Sequence, residues 1–452
     1  MKRRILVAAA VLPAVVLPHL LFGPGATAAV VSIAGVCLVL WLSELTPPFV
    51  PTLLLWVFIP VILFQFDEKY SIVNTLKWAA DPILALFFGG FALGVATERH
   101  QLDRKMARWA FQISKGSYSV FLLTTILLTG FMSMWISNIA AAALMFACMR
   151  PTLSFLETGD AARRTLLIGV ALGANLGGMA TPIGTGPNAI AIASLTGRQP
   201  VTFIDWMTFA LPLTVGMLFF GFVLLRWRAG KIEYKKWKTI ADRKPEALPS
   251  SGSSAGSIRG QTGFLFVLAA SAMLWLTEPF HGVPAAAVAL AAAACLFLFG
   301  LLEKSDITRI DWSTLLLIAG GITLGRLFEA SGVIEEAAGR IPFADLHPTL
   351  VLLVLCFASA LLSALMSNTA TAVLLIPLAA SLISEPSTAI LIAVSASFGM
   401  PFLISTPPNA MAYGEGGLRT SDLLFPGLII MVVGCLVVTL TGKAVLNFAG
   451  IP

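Results

Sequence analysis

The stretch FMSMWISNIAAA, residues 131–142, is apolar on both sides of the pair Ser137-Asn138, and LLSALMSNTATA, residues 361–372, repeats the arrangement around Ser367-Asn368. Each pair interrupts a long apolar run, 117–136 from 139–156 in the first case and 348–366 from 369–384 in the second. Two polar residues cannot carry a chain through a headgroup layer and back. Each segment therefore reads as a re-entrant helical hairpin with its tip inside the membrane. Non-helical backbone is tolerated there only where protein or a water-filled cavity satisfies its polar groups.

The rest of the chain is built for lipid. Of 452 residues, 58% are hydrophobic and 12% charged, against roughly 25% charged in soluble domains. That balance disfavours a soluble enzyme, a nucleic-acid binder and a secreted disulfide scaffold. Fifteen apolar runs can be counted, more than the roughly 13 crossings that the composition supports at about 20 residues each. Folding the two pairs as hairpins leaves an all-α polytopic membrane protein with about 11 transmembrane helices plus two re-entrant hairpins. Charge supports this layout: 23 of the 29 Lys and Arg fall in loops on one side, which sets the N-terminus inside and the C-terminus outside. The opening Met1-Lys2-Arg3-Arg4 and its apolar run imitate a signal peptide, with Ala26-Thr27-Ala28 as a cleavage site. An uncleaved first span is expected, because a second hydrophobic segment follows at once. The five cysteines lie singly in apolar stretches and the four histidines lack ligand spacing, so neither a disulfide framework nor a His/Cys metal site is expected. The basic stretch from Arg226 to Arg259, ending in a Gly/Ser-rich tract, reads as a cytoplasmic linker between two halves.

The chain is internally repeated. Gly89-Gly90-Phe91-Ala92-Leu93-Gly94 matches Gly320-Gly321-Ile322-Thr323-Leu324-Gly325 at an offset of 231, and the Ser-Asn tips match at 230. The segment from Gly178-Met179 to Pro187-Asn188-Ala189 matches Gly399-Met400 to Pro408-Asn409-Ala410 at 221. An odd number of crossings separates equivalent points, so the copies run oppositely through the membrane. Inverted repeats with helices broken at the midplane characterise secondary transporters.

Two further segments carry chemistry. Thr181-Pro182-Ile183-Gly184-Thr185-Gly186-Pro187-Asn188 and Leu403-Ile404-Ser405-Thr406-Pro407-Pro408-Asn409 each interrupt an apolar helix, and their prolines and glycines predict unwinding. Unwinding frees carbonyls for a cation, while the next half-helix offers positive amides to an anion. No Asp, Glu, Lys, Arg or His occurs in 131–149, 166–196, 346–383 or 386–414, His347 excepted. A proton relay or a carboxylate cation site is therefore lacking at these places. An oxygen-rich neutral site suits Na⁺, whose charge then helps to hold an anion. A lone Ser-Asn pair would read as helix packing; twin copies at twin tips favour binding.

The paired Ser-Asn tips and paired Thr/Pro/Asn breaks resemble the divalent anion–sodium symporter (DASS) family of di- and tricarboxylate transporters, over nearly the whole chain after the first span. The resemblance implies an inverted-repeat, elevator-type homodimer, multi-pass in the cell's inner (plasma) membrane, and no enzyme activity. It implies a scaffold from residues 1–115 and 263–345, transport parts from 116–226 and 346–452, and a linker at 227–262. Interfacial arms would run over Glu98–Gln112 and Ser331–Asp345. One Na⁺ site would use Ser133, Ser137, Asn138 and the Gly184 carbonyl; the second would use Ser363, Met366, Asn368 and Ser405. Substrate carboxylates would meet Ser137, Asn138 and Thr185 at one end and Ser367, Asn368, Thr369, Thr406 and Pro407 at the other. Ile139 stands where the family's tip carries Thr, which leaves the anion open. Na⁺-driven uptake of a succinate-, malate-, fumarate- or citrate-like anion is the leading expectation. Dicarboxylate exchange and sulfate transport on the same fold remain alternatives, as does an anion channel.

Overall fold

The computed structural model describes residues 2–43, 46–47, 49–100, 117–195, 201–230, 258–333, 347–383, 385–403 and 405–448. Most of the two expected arms (101–112 and 334–345) and most of the basic linker (231–257) lie outside them. Every regular element among the described residues is helical, as a chain that must pair its own backbone groups in lipid requires. Helices α1 (Lys2–Phe22), α2 (Ala26–Ser43) and α3 (Val50–Phe58) lead to a short α4 (Ile72–Ala79) and then α5 (Pro82–Arg99). The first hairpin is α6 (Tyr118–Ser133) and α7 (Asn138–Leu153). A broken helix follows: α8 (Ala161–Gly177), a 3₁₀ turn, unwound Thr181 to Thr185, and α9 (Gly186–Leu195). After α10 (Phe203–Ala229), α11 (Ile258–Leu276), α12 (Ala285–Leu298) and α13 (Trp312–Ser331), the second hairpin is α14 (Pro348–Leu365) with α15 (Asn368–Leu382). A second broken pair, α16 (Ser387–Ala396) and α17 (Pro407–Gly414), precedes α18 (Thr420–Phe448). Among the described residues α5, α10, α13, α14 and α18 are each long and apolar enough to span a membrane; the two broken pairs divide their length at the unwound segments.

The copies are antiparallel in space. Arg99, at the end of α5, pairs with Glu303 and Asp306 in the turn that leads into α13, so the Gly-Gly helices α5 and α13 run in opposite directions. Likewise Arg150, at the end of α7, pairs at 2.8 Å with Glu415 just beyond α17. Arg163, in the first turn of α8, donates to the carbonyls of Leu153 (2.6 Å), Glu415 (2.6 Å) and Gly416 (3.0 Å). The start of the first broken helix thus meets the end of the second.

The glycines of the repeated Gly-Gly motif are contact surfaces. A Cβ on Gly89 would lie 2.5 Å from the Ala289 carbonyl carbon of α12, and one on Gly320 would lie 2.9 Å from Cβ of Thr52 on α3. Their neighbours face the hairpins and breaks: Gly90 abuts Ile183 and Gly94 abuts Ile136, while Gly321 abuts Val373 and Gly325 abuts Pro377. Small residues allow such close helix approach in lipid, where no hydrophobic force draws helices together.

Asp306 is the ionic centre of this end of the molecule. Its side chain is 6% exposed, accepts the Glu303 amide at 2.8 Å and faces Arg99 and Arg309. Burial alone would raise its carboxyl; the amide and the two arginines outweigh burial and hold it below the usual carboxylate range. Its stabilising contribution is therefore complete above the unfolded carboxyl's value of ~3.9 and is lost as pH falls through the lower folded value. Asp306→Asn should cost about 1–3 kcal/mol at neutral pH and flatten the fall in melting temperature below about pH 4. Identical melting profiles for both proteins would show that Asp306 carries no such load.

Candidate functional site

Each hairpin tip is organised by its own Ser-Asn pair. Ser137 caps α7 by accepting the Ala140 amide at 3.2 Å, and Ser367 caps α15 by accepting the Ala370 amide at the same distance. Ser133 Oγ lies 2.7 Å from Asn138 Oδ1 and 2.6 Å from the Ala174 carbonyl. Ser363 Oγ lies 2.6 Å from Asn368 Oδ1 and 2.7 Å from the Ala396 carbonyl. A serine hydroxyl has one proton to give. Each cluster therefore holds one proton among three oxygens, and the surplus lone pairs form a donor set for a hard cation.

The breaks are held open by asparagine. Asn188 Nδ2 donates to the carbonyls of Gly178 (3.1 Å) and Thr181 (2.8 Å); Asn409 Nδ2 donates to Met400 (3.0 Å) and Phe402 (2.9 Å). The Thr181 hydroxyl donates at 2.6 Å to the Met134 carbonyl, tying the first break to the first tip. A Cβ on Gly178 would sit 2.5 Å from Asn138 Oδ1 and 2.9 Å from the Gly184 carbonyl oxygen, so those two oxygens converge on one glycine-sized space.

Both tips and both breaks line a single cavity of about 180 Å³. Of the residues singled out from the sequence, Ser137, Asn138, Gly184, Thr185, Ser367, Asn368, Thr369, Ser405, Thr406 and Pro407 all reach its wall. Ser133 and Ser363 lie behind it, fully buried beneath their asparagines, and Met366 is buried in the second tip. The N-termini of α7, α9, α15 and α17 converge on the same space, each contributing partial positive charge toward an anion. The halves meet here too: a Cβ on Gly186 would lie 3.0 Å from Cβ of Thr369. Ile139, at the matching place in the first tip, is 49% exposed.

The wall also holds Phe87, Phe91, Asn175, Asp311 and Thr314, which the sequence reading did not place there. Asn175 is the only amide side chain between Leu166 and Thr185, and that isolation was the available signal. Asp311 immediately precedes an apolar run and caps α13 through the Thr314 amide at 3.0 Å.

A sequence model described as a citrate transporter matches residues 20–384 and 272–450. The chain belongs to the citrate transporter family. An uncharacterised transporter of Haemophilus influenzae is 30% identical over 94% of this chain and 93% of its own length. The sodium-dependent dicarboxylate transporter SdcS of Staphylococcus saprophyticus is 25% identical over 88% of this chain and 82% of its own. The solved structure of the Alcanivorax borkumensis YdaH transporter aligns at a TM-score of 0.60 with 14% identity, covering 88% of this chain and 98% of that one. Family and fold agree with the divalent anion–sodium symporter resemblance carried by the tips and breaks. The protein is a multi-pass membrane transporter of the carboxylate type, and its family is one of transporters, not enzymes.

Adding one methyl group at Gly178 tests the converging oxygens. Overpacking of about 1–3 kcal/mol corresponds to a factor of roughly 5 to 150, so Gly178→Ala should cut carboxylate uptake by about fivefold or more. Uptake equal to the native protein's would show that the space has no role.

Proposed function

We propose that the protein couples Na⁺ entry to uptake of a di- or tricarboxylate by an elevator alternating-access mechanism. The observation that carries this reading is the joint cavity, where neutral oxygens suited to cations lie beside four helix N-termini suited to an anion. One Na⁺ is held by Ser133, Ser137, Asn138 and the Gly184 carbonyl. The other is held by Ser363, Asn368 and the backbone of Met366 and Ser405. With Na⁺ bound, each tip gains the positive charge that its side chains lack. The substrate carboxylates then lie against Ser137, Asn138 and Thr185 on one side and Ser367, Asn368, Thr369, Thr406 and Pro407 on the other.

The hairpins with α8–α10 and α16–α18 form the moving body, and α1–α5 with α11–α13 form the scaffold. Two features favour this division. The ties made by Arg150, Arg163 and Glu415 join elements of the body to one another, as do Arg164 and Arg228, each 3.4 Å from Asp422. The scaffold helices α5 and α13, in contrast, meet the body through glycine faces, which offer little resistance to sliding. Asp311 and Thr314 stand at the end of α13 nearest Arg99 and Arg309, on the side that the positive charges assign to the cytoplasm. Their place in the cavity wall supports reading this as an inward-facing state. The N-terminus is then cytoplasmic, the C-terminus external and the membrane the plasma membrane; the family resemblance adds a homodimer.

The exposed Ile139 favours a second reading in which a smaller inorganic dianion such as sulfate is carried, because the first tip offers one hydroxyl fewer. Labelled succinate and citrate should accumulate in proteoliposomes only under an inward Na⁺ gradient, with sulfate competing weakly. Asn138→Ala and Asn368→Ala should each lower uptake more than about tenfold, the effect of losing roughly 1.4 kcal/mol or more of ligand stabilisation. Uptake indifferent to Na⁺ would sink the coupling, and full activity in both variants would sink the site.

A further inference from the structure

We propose that Asn175 is a positioning residue that couples the two cation sites, a reading that rests on the two-Na⁺ function above. Asn175 and Asn409 are each 1% exposed, and Asn175 Nδ2 donates to Asn409 Oδ1 at 3.1 Å. The direction of that bond is set by its surroundings. The carbonyls of Met400 and Phe402 can only accept, so Asn409 must turn its NH₂ group toward them. Its oxygen is then left for Asn175, which must answer with its own NH₂ group. Asn175 Oδ1 is buried without a partner among the described residues.

The bond closes a continuous path between the sites. On the first side, Ser133 bonds Asn138 Oδ1 and the Ala174 carbonyl, and Asn175 is the next residue along α8. On the second side, Asn409 bonds the Phe402 carbonyl at 2.9 Å, and the Phe402 amide donates at 2.8 Å to Oγ of Ser405, whose backbone belongs to the second site. A cation that draws Ser133, Asn138 and the end of α8 together also fixes Asn175. Asn175 in turn fixes Asn409 and the carbonyls it holds. Coupling between sites can be carried by hydrogen-bonded networks that both sites bias, and every link here is a hydrogen bond or runs through a single residue or peptide bond.

The path has no counterpart in the other direction. The repeat offsets of 221 and 222 put Ala396 or Ser397 at the position matching Asn175. Ala396 has no polar side chain, and both Ser397 Oγ and Asn188 Oδ1 are buried without partners among the described residues. Asn175 thus carries the side-chain link that its repeat mate does not supply.

The test is the Na⁺ dependence of labelled succinate uptake by the full-length reconstituted protein, paired with Na⁺-dependent thermal stabilisation in the absence of substrate. The native protein should bind Na⁺ cooperatively. Asn175→Ala and Asn175→Leu should lower the Hill coefficient to about 1 and raise the half-saturating Na⁺ concentration roughly fivefold or more. The KM for succinate is measured at saturating Na⁺ alongside, so that an effect on the cavity wall, which Asn175 also lines, is read separately from the Hill coefficient. The leucine variant keeps about the same side-chain size without a donor or a charge, and serves if the alanine variant is not recovered folded. A merely structural role would lower the melting temperature and the maximal rate while leaving the Hill coefficient intact, and that result would overturn the proposal. Native uptake that needs Na⁺ but shows no cooperativity overturns it equally. Native uptake that ignores Na⁺ refutes the parent reading instead.

Discussion

A carbonyl freed inside a bilayer must find a donor within the protein, because lipid offers none. This chain frees such carbonyls twice, at the ends of α8 and α16, and meets the demand with one asparagine each time. Asn188 and Asn409 take two carbonyls apiece with a single NH₂ group, which lets the backbone stay unwound instead of closing back into helix. Everything at the site follows from these open breaks. They place the starts of α9 and α17 on the cavity that the hairpin tips also line. They also leave backbone oxygens such as that of Gly184 facing the Ser-Asn clusters.

The same economy governs charge. Twelve per cent of the chain is charged, and the ion pairs gather at the ends of helices, where Arg99, Asp306, Arg150, Arg163 and Asp422 tie elements together. Among the described residues the only acid on the cavity wall, Asp311, is occupied in capping α13. An anion in this cavity would meet dipoles and hydroxyls, whose contributions depend on geometry. A site of this kind works only when its four helix ends are held in register, which is what the tips and breaks do for one another through Thr181 and Met134 and through Thr369 and Gly186.

Much of this could be read from residues alone. A Ser-Asn pair between two long apolar runs can only be a buried turn, and Pro/Gly-rich interruptions can only be unwound helix. The internal repeat paired tip with tip and break with break, and the family resemblance, not the repeat, joined the four segments into one site. What could not be read depended on partners distant in sequence. Asn175 in an apolar helix resembles any packing amide until Asn409, in the other repeat, is seen to face it. Asp311 looks like an ordinary cap, and Phe87 and Phe91 like ordinary core, until α5 and α13 are placed beside the tips. The glycines of the Gly-Gly motif were visible as a repeat, but their use as contact faces required knowing what lay against them.

The two repeats have drifted apart where they line the shared cavity. Thr369 packs on Gly186, whereas Ile139 and Pro407 occupy the matching positions, and the amide bond across the repeats runs one way only. Exchanging the conformations of the halves therefore does not regenerate an equivalent molecule. Under the proposed alternating access, an empty carrier built this way would rest unequally between its two sides, so that part of the work of each cycle would be set by the protein's own standing tilt before any gradient is applied.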